Sequence, residues 1–510
     1  MSLRVAFRCD ASVAIGTGHV GRCLSLATAV CNAGGHAVFV MRDLPGNMLA
    51  RVADLGFEVR TLPAPAANFV PAAKLAHAAW AGVSGAQDAA ETAQVLAGST
   101  WDWLVVDHYA FDFEWETAAR PEAARLMVID DLADRAHDCD LLLDQNLGRH
   151  TRDYDTHLPA VTRRLIGPAY ALLRPEFASL RESALAARGG PLRHVLIAMG
   201  GVDAPDVTSV LLQALPDTLQ VTVVMGSAAP ALDRVRALAQ ARGARLLIDT
   251  PDMAQEMASV DLAIGGVGVS AWERCVLGLP SLMVVMADNQ EPAAAALASA
   301  GAARLIGRAG DVDLPARLRV EIAALSEGGA LETMAARAAA LCDGRGVPRV
   351  LRALGVPPLR LRMATMQDAG LVWHWRVGLA GTTAFRTSGT PSRGAHMDWF
   401  SRALTLASCR LYMAETTVAE TITPVGHLRL DDAGTPGVAS VSILLDTAAR
   451  TQGVGAALLA AAEAEARRLD LTALMAEVHE GNITSRALFG TAGYMQQGQE
   501  GPFIKLCLRL

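Results

Sequence analysis

Residues 8–26, RCDASVAIGTGHVGRCLSL, decide the fold of the first part of the chain. Val5, Ala6 and Phe7 lead into them as an apolar strand, Gly16 and Gly18 make a turn, and a helix over 18–33 can face a sheet through Val20, Leu24, Leu26, Ala27 and Val30. Strand, glycine turn and helix in that order open an α/β sheet, and such sheets bind ligands at the carboxyl ends of their strands. The two glycines let the backbone approach a ligand closely. His19 stands at the mouth of that crevice. A capping or core histidine is one reading and a ligand-facing histidine the other; a turn with two glycines and an imidazole fills a core badly, which favours the second.

The βαβ rhythm of a parallel sheet continues outward. A strand over 36–42, a helix over 47–55 and a strand over 57–62 are followed by an Ala-rich segment, 72–96, that supplies helices. The buried strand WDWLVVDHY then ends in Asp107, His108 and Tyr109. The strands of RLMVIDDLADR and CDLLLDQNLG bring Asp130 and Asp131, then Asp144, Gln145 and Asn146, to the same edge. Capping of the next helices is the plain alternative for these acids. RRLIGPAYALLRPEF, residues 163–177, carries two prolines and reads as a crossover to a second lobe.

That second lobe repeats the opening design. A strand runs into the Gly200–Gly201 turn, and a later strand runs into the glycine loop 265–270 and a helix starting near Ser270. Backbone N–H groups of such a loop and the positive helix end suit a phosphate. Glu273, three residues after Ser270, fits a capping box or a contact to a sugar hydroxyl. Asp288, Asn289 and Gln290 end the next strand at the same edge. Neither glycine loop reads GxxxxGK[ST], and neither is a clean GxGxxG with a suitably placed acid, which counts against a P-loop ATPase and a dinucleotide oxidoreductase. Two doubly wound lobes, a histidine on one and a phosphate cradle on the other, suit a nucleotide-sugar enzyme; a glycosyltransferase fits equally at this level.

A chain of 510 residues is too long for one core, and 52% hydrophobic with 19% charged residues excludes disorder. The formal charge of -7 gives no electrostatic footprint for nucleic acid. The eight cysteines are scattered without a CxxC pair, as in a reducing compartment. The N-terminus runs straight into a strand and no apolar run reaches spanning length, so a cytoplasmic protein with no membrane partner is expected. No acids and histidines share metal-ligand spacing, and the chemistry need not invoke a metal.

After the Gly/Pro-punctuated segment GRGVPRVLRALGVPP, a short helix plus linker, the pattern changes. A strand, helices and three strands arriving as consecutive hairpins lead to ARTQGVGAALLAAAEAEARR, where Arg450, Gly453, Val454 and Gly455 stand at the start of a long helix. Small residues there let N–H groups reach a pyrophosphate, which the helix end favours. Glu477 and His479 share one face of the following strand by period-two geometry. Either could deprotonate an amine.

In order, IGTGHVGRCLSLA, VVDHY, VIDDLADR, DLLLDQN, YALLRPEF, MGG, GGVGVSAWERC, GLP and ADNQ resemble the UDP-sugar hydrolases of pseudaminic acid biosynthesis over residues 3–340. Proteins of spore coat polysaccharide synthesis are similar, and the fold implied is the GT-B fold. The resemblance implies inverting hydrolysis of UDP-2,4-diacetamido-2,4,6-trideoxy-β-L-altropyranose, with His19 as base and Asp10 sharing its loop. Gly18, Arg22, Gly200, Gly201, Gly268, Ser270, Glu273, Asn289 and Gln290 would hold the UDP-sugar. Val269 departs from the run of small hydroxyl residues expected there.

The third unit resembles the GNAT acetyltransferases over residues 360–505, through Arg450, Gly453, Gly455, Asn482 and the Gly493–Tyr494 turn. The resemblance implies acetyl-CoA as cosubstrate, held at Arg450, Gly453, Val454, Gly455 and Asn482. Phe489 occupies the position where many such enzymes carry a tyrosine acid, so Tyr494, Tyr412 or solvent would protonate the thiolate, with Glu477 a candidate base. The chain is therefore expected to be α/β, a GT-B-like pair of doubly wound lobes (1–165 and 166–345), a linker (346–358) and a mixed α+β GNAT domain (359–510). It would hydrolyse a UDP-amino sugar and acetylate the 4-amino group of its precursor. The alternative is a UDP-sugar glycosyltransferase fused to an acetyltransferase acting on another amine.

Overall fold

The strand before the glycine turn is β1 (Arg4–Cys9). It lies inside a seven-stranded sheet with β2 (His36–Arg42), β3 (Glu58–Leu62), β4 (Trp101–Asp107), β5 (Ala123–Ile129), β6 (Leu141–Asp144) and β7 (Arg163–Ile166), in the order β3-β2-β1-β4-β5-β6-β7. Cys9 stands opposite Asp107 in the parallel pair β1–β4, and β2–β3, β4–β5, β5–β6 and β6–β7 are parallel as well. Burial is nearly continuous along β1, β2 and β4, as a parallel sheet covered on both faces requires. This is a computed structural model, and it describes residues 3–32, 35–66, 69–70, 75–327, 329–355, 360–379, 392–418, 421–450 and 454–510.

One difference from the sequence reading is β7. Arg163–Ile166, read as the start of the crossover, is an edge strand of the first sheet, and its two arginines suit an edge that must not pair further.

The second sheet holds β8 (His194–Ala198), β9 (Gln220–Met225), β10 (Arg245–Ile248), β11 (Leu262–Gly265), β12 (Ser281–Val285) and β13 (Arg304–Arg308), all parallel, in the order β10-β9-β8-β11-β12-β13. Alternate residues feed two cores. Leu196, Ala263 and Met283 pack with Trp272 on one face, while Val195, Ile197, Ile264 and Leu282 pack on the other. Strand order reverses between β1 and β4 in the first sheet and between β8 and β11 in the second. Those reversals open the crevices in which doubly wound sheets bind ligands. The helix Gly346–Ala353 then packs against 169–171: a Cβ at Gly346 would lie 2.1 Å from the Ala171 carbonyl oxygen, and Arg349 donates to Ala169 O at 2.7 Å.

The third sheet holds β14 (Arg360–Met363), β15 (Cys409–Val418), β16 (Thr421–Asp432), β17 (Val438–Leu445), β18 (Ala473–His479), β19 (Met495–Glu500) and β20 (Phe503–Arg509), ordered β14-β15-β16-β17-β18-β20-β19. Only β17–β18 is parallel. That pair is short. Val438–Ser440 meet Ala473–Met475, after which β17 stays with β16 to Leu445 and β18 stays with β20 to His479, so the two strands part. The helices Val454–Arg468 and Ile483–Thr491 cover one face through Leu458, Leu459, Ala462 and Phe489. Val372, Trp375 and Phe400 from Ala369–Val377 and Arg393–Thr405 cover the other.

Packing divides the chain into two units, one of residues 4–27 with 37–350 and one of 351–510 with short segments before residue 37. Among the described residues no helix is long and apolar enough to cross a membrane.

Candidate functional site

The turn before His19 is held by Ser12, whose carbonyl accepts the Gly16 N–H at 2.8 Å and whose Oγ accepts the Ile15 N–H at 3.0 Å. Gly16 has φ +78°, a conformation that favours glycine. The helix Gly18–Asn32 therefore starts beside the end of β4, and His19 Nδ1 comes to 2.5 Å from Asp107 Oδ1. Arg22, one turn along, grips the same carboxylate with Nε at 2.6 Å and Nη2 at 2.7 Å, and the Cys23 thiol lies 3.5 Å from it. Burial alone would raise the Asp107 carboxyl, but Arg22 and His19 outweigh it and hold it far below the ordinary carboxylate range. A carboxylate on Nδ1 fixes the tautomer and leaves Nε2 as the nitrogen that accepts a proton.

A second carboxylate extends the network. Asp131, just past β5, accepts from Arg22 Nη1 at 2.6 Å, from Asn146 Nδ2 at 3.0 Å and from the Tyr109 hydroxyl. Burial, then Asp131, pushes the Tyr109 phenol well above its ordinary value, so it stays a donor. Strand-end acids of β4 and β5 thus converge on the crevice beside β1. They are joined through an arginine rather than through helix caps.

Two sequence-derived candidates stand differently from expectation. Asp10 shares the loop of His19 in sequence, but its carboxylate is fully buried against Arg8 Nη1 (2.8 Å), the Arg42 N–H (2.7 Å) and His108 Nε2 (3.3 Å). It braces β1 against β2 and β4. Arg22 was expected on the sugar, yet Nε, Nη1 and Nη2 are all engaged by Asp107 and Asp131. Its geometry makes it a clamp on the His19 partner. The reading from sequence missed Asp107 in that role, although an acid at the end of the strand next to β1 was its signal.

In the second sheet, Gly200 and Gly201 follow β8 and Gly266–Gly268 follow β11, on either side of the reversal in strand order. Gly200 has φ +111°, and a Cβ at Gly200, Gly201 or Gly268 would meet nothing within 4 Å, so their backbone is open to a ligand. The loop is braced from beneath. Buried Arg274 donates to Gly266 O at 2.8 Å and to Ser270 Oγ at 3.4 Å, and a Cβ at Gly265 would lie 2.6 Å from its guanidinium. Gln290 Oε1 accepts the N–H groups of Met286 (3.0 Å) and Val267 (3.4 Å), tying two loops together, while Asn289 is exposed beside it.

The helix here begins at Val269 with Gly268 as its cap and no side-chain capping bond, so Ser270 and Glu273 do not form a capping box. Glu273 instead lies mostly buried, 3.8 Å from Arg174 Nη2, and burial raises its carboxyl above the ordinary range. Among the described residues no group of three or more His, Cys, Asp or Glu is placed to hold a metal ion.

In the third sheet, the parting of β17 and β18 opens next to Arg450, which donates to Leu445 O at 3.1 and 3.4 Å, and to the helix that starts at Val454. Gly453 lies outside the described residues. A Cβ at Gly455 would stand 3.0 Å from Leu488, so glycine there lets the two helices of that face approach. Asn482 caps Ile483–Thr491 by accepting the Ser485 N–H at 3.0 Å. Glu477 is exposed on β18, and His479 accepts the Gly481 N–H at 3.0 Å. Tyr494 was a candidate acid. Its hydroxyl is buried with no hydrogen-bond partner among the described residues, its ring stands edge-on to Phe489 at 4.9 Å, and burial raises the phenol above its ordinary value.

Two successive doubly wound sheets, each with its open loops at a strand-order reversal, followed by a mixed sheet with parting parallel strands, define a doubly wound α/β part joined to a mixed α+β GNAT domain. Residues 383–494 match the family model described as Acetyltransferase (GNAT) family. The N-terminal part is distantly related to the UDP-2,4-diacetamido-2,4,6-trideoxy-beta-L-altropyranose hydrolase of Campylobacter jejuni, 23% identical over 300 residues that make up 59% of this chain and 97% of that protein. The spore coat polysaccharide biosynthesis protein SpsG of Bacillus subtilis is 33% identical over 152 residues, 29% of this chain and 44% of that one. MurG of Acinetobacter baumannii, a solved structure, aligns with 69% of this chain and 99% of its own at 16% identity and a TM-score of 0.47.

Proposed function

We propose that the chain is a two-headed enzyme of amino-sugar nucleotide metabolism. Lobes 1–165 and 166–345 hydrolyse UDP-2,4-diacetamido-2,4,6-trideoxy-β-L-altropyranose, and residues 359–510, beyond a linker at 346–358, acetylate the 4-amino group of its precursor from acetyl-CoA. The observation that carries the first half is the His19–Asp107 contact of 2.5 Å at the strand-order reversal of the first sheet. His19 Nε2 takes a proton from water as the water oxygen bonds to C1 on the face opposite the nucleotide. The bond from C1 to the UDP oxygen breaks, and UDP leaves as its anion. Asp107 stabilises the imidazolium that forms, and Arg22 keeps Asp107 ionised. Gly200, Gly201, Gly268 and Ser270 offer donors to the diphosphate, Glu273 an acceptor to the ribose, and Asn289 and Gln290 line the sugar end.

In the acetyltransferase half, Glu477 receives the proton of the acceptor amine as its nitrogen attacks the thioester carbonyl. The carbon–sulfur bond then breaks, and the CoA thiolate takes a proton from solvent. Arg450, Gly453, Val454, Gly455 and Asn482 hold the cosubstrate.

The test is hydrolysis in ¹⁸O-labelled water. The label is expected in the free sugar and not in UDP, and His19→Gln lowers the rate by about 10³-fold. UDP release only when a sugar acceptor is added would make the first half a glycosyltransferase. Supplying the 4-amino precursor with acetyl-CoA tests the second half, through release of CoA.

A further inference from the structure

Beside His19 the chain builds a wall of aromatic rings that the reaction itself does not require. The 3-10 turn Ala78–Ala81 is closed by the Trp80 N–H on His77 O at 2.9 Å and ends at Gly82, whose φ of +69° and closeness to Pro65 (a Cβ would lie 2.8 Å away) fix the turn in place. Trp80 then stacks on Tyr109 with centroids 5.5 Å apart, and His77 tilts against both rings at 4.4 and 5.5 Å. The His19 ring stands edge-on to Tyr109 at 4.6 Å and to Trp80 at 6.0 Å. Trp80 and His77 are only partly buried, so the wall has an accessible side. Burial lowers the His77 ring below its ordinary value; Arg135 and His19 act the same way against Asp134, which leaves the wall uncharged near neutral pH.

From this arrangement the geometry points to Trp80 as a specificity-determining residue that selects sugars with a methyl- and acyl-rich face next to the reacting carbon. The inference rests on the reading of this site as one for a UDP-sugar. A sugar hydroxyl pressed on this wall would lose its water and find no replacement partner on the ring faces, whereas a methyl or acetyl group gains by burial there. A substrate held within reach of His19 touches the wall as well. The wall therefore sorts deoxygenated, N-acylated sugars from fully hydroxylated ones, and the nucleotide half of the ligand, bound on the other lobe, does not feel it.

The test measures binding of three ligands to the full chain carrying His19→Gln, which leaves the UDP-sugar intact. UDP-2,4-diacetamido-2,4,6-trideoxy-β-L-altropyranose, UDP-N-acetylglucosamine and UDP are compared by calorimetry, with and without Trp80→Ala. Trp80→Ala is expected to weaken the first by about 10-fold, the second by about 2-fold or less and UDP not at all, and Trp80→Phe is expected to restore most of the loss. Equal weakening of all three ligands, UDP included, would mean that Trp80 only supports the fold. An unchanged ratio between the two sugars would overturn the proposal, as would a Trp80→Phe chain as poor as Trp80→Ala. Failure of hydrolysis by the unsubstituted chain would count against the hydrolase reading, while the ratio of sugar affinities still decides the role of Trp80.

Discussion

Beneath the first sheet, Arg8 and Arg42 both reach Asp88, at 2.7 and 2.6 Å, with Trp115 Nε1 donating to the same carboxylate at 3.1 Å. In the acetyltransferase domain, His427 on β16 is 4% exposed, and its Nε2 has no hydrogen-bond partner among the described residues; the same holds for Nδ1 of nearby His396. Both interiors bury ionisable groups. Around Asp88 both guanidiniums meet a carboxylate at hydrogen-bond distance, and the carboxylate stays ionised in spite of burial. In the second, the neighbours Arg429 and His396 share the sign of the charge His427 would take, and burial wins. The contrast teaches that the direction of a buried group's titration is set by partner geometry, since depth is similar in the two places.

Asp88 is where the contrast breaks most visibly. Asp88→Ala would leave two buried guanidiniums short of an anion and is expected to cost about 3–5 kcal/mol in urea unfolding of the first lobe. A loss below about 1 kcal/mol would mean that Asp10 and Glu91, which also touch Arg8 and Arg42, carry the pairing alone.

The next test uses pH and two histidines of opposite behaviour. Burial alone would strip the His137 ring of its proton, but Glu116 at 2.7 Å and Asp130 outweigh it and push it up to about 9. Its contribution to stability is fully present below the ordinary histidine value near 6.5 and is lost as pH rises through 9. His427 is lowered to about 4, by burial first and then by Arg429 and His396, so its unfolded form binds protons the folded form refuses. Stability of the acetyltransferase domain should therefore fall as pH drops from about 6.5 to 4. Each effect is on the order of 3 kcal/mol at full extent. Pulse proteolysis of the full chain, read by peptides from each unit, should show the two opposite slopes; parallel slopes would remove the distinction.

Much of this was legible beforehand, and the reasons are local. β1, the turn at Gly16 and the helix that carries His19 are set by neighbouring residues, as are the glycine loops after β8 and β11. Alternating apolar runs announced the hairpins of the third sheet. What the spacing does not carry is direction. Arg22 lies three residues after His19, and nothing in the spacing says that its guanidinium turns inward to Asp107, 85 residues away, instead of outward to a ligand. Asp10 is drawn inside in the same way, by Arg8, Arg42 and His108. Trp80 was hidden in an Ala-rich stretch read as plain helix, where a lone tryptophan three residues after a histidine was the available signal. Partners far apart in sequence decide all three.

The smallest effect concerns Tyr494, where the two kinds of interior meet in one residue. Its hydroxyl is a polar atom in an apolar cluster, as the His427 ring is, and it is also the phenol that would have to serve as a proton donor to the thiolate. A buried hydroxyl without a partner costs stability, so Tyr494→Phe should stabilise the domain by about 1 kcal/mol and leave the rate of CoA release unchanged. Were the phenol the donor to the departing thiolate, the same substitution would lower that rate by about 10²-fold or more with stability hardly altered. Because the two accounts move different measurements, one variant separates a polar group tolerated by the fold from one kept for chemistry. Burial raises the phenol above its ordinary value, which keeps the proton on its oxygen near neutral pH.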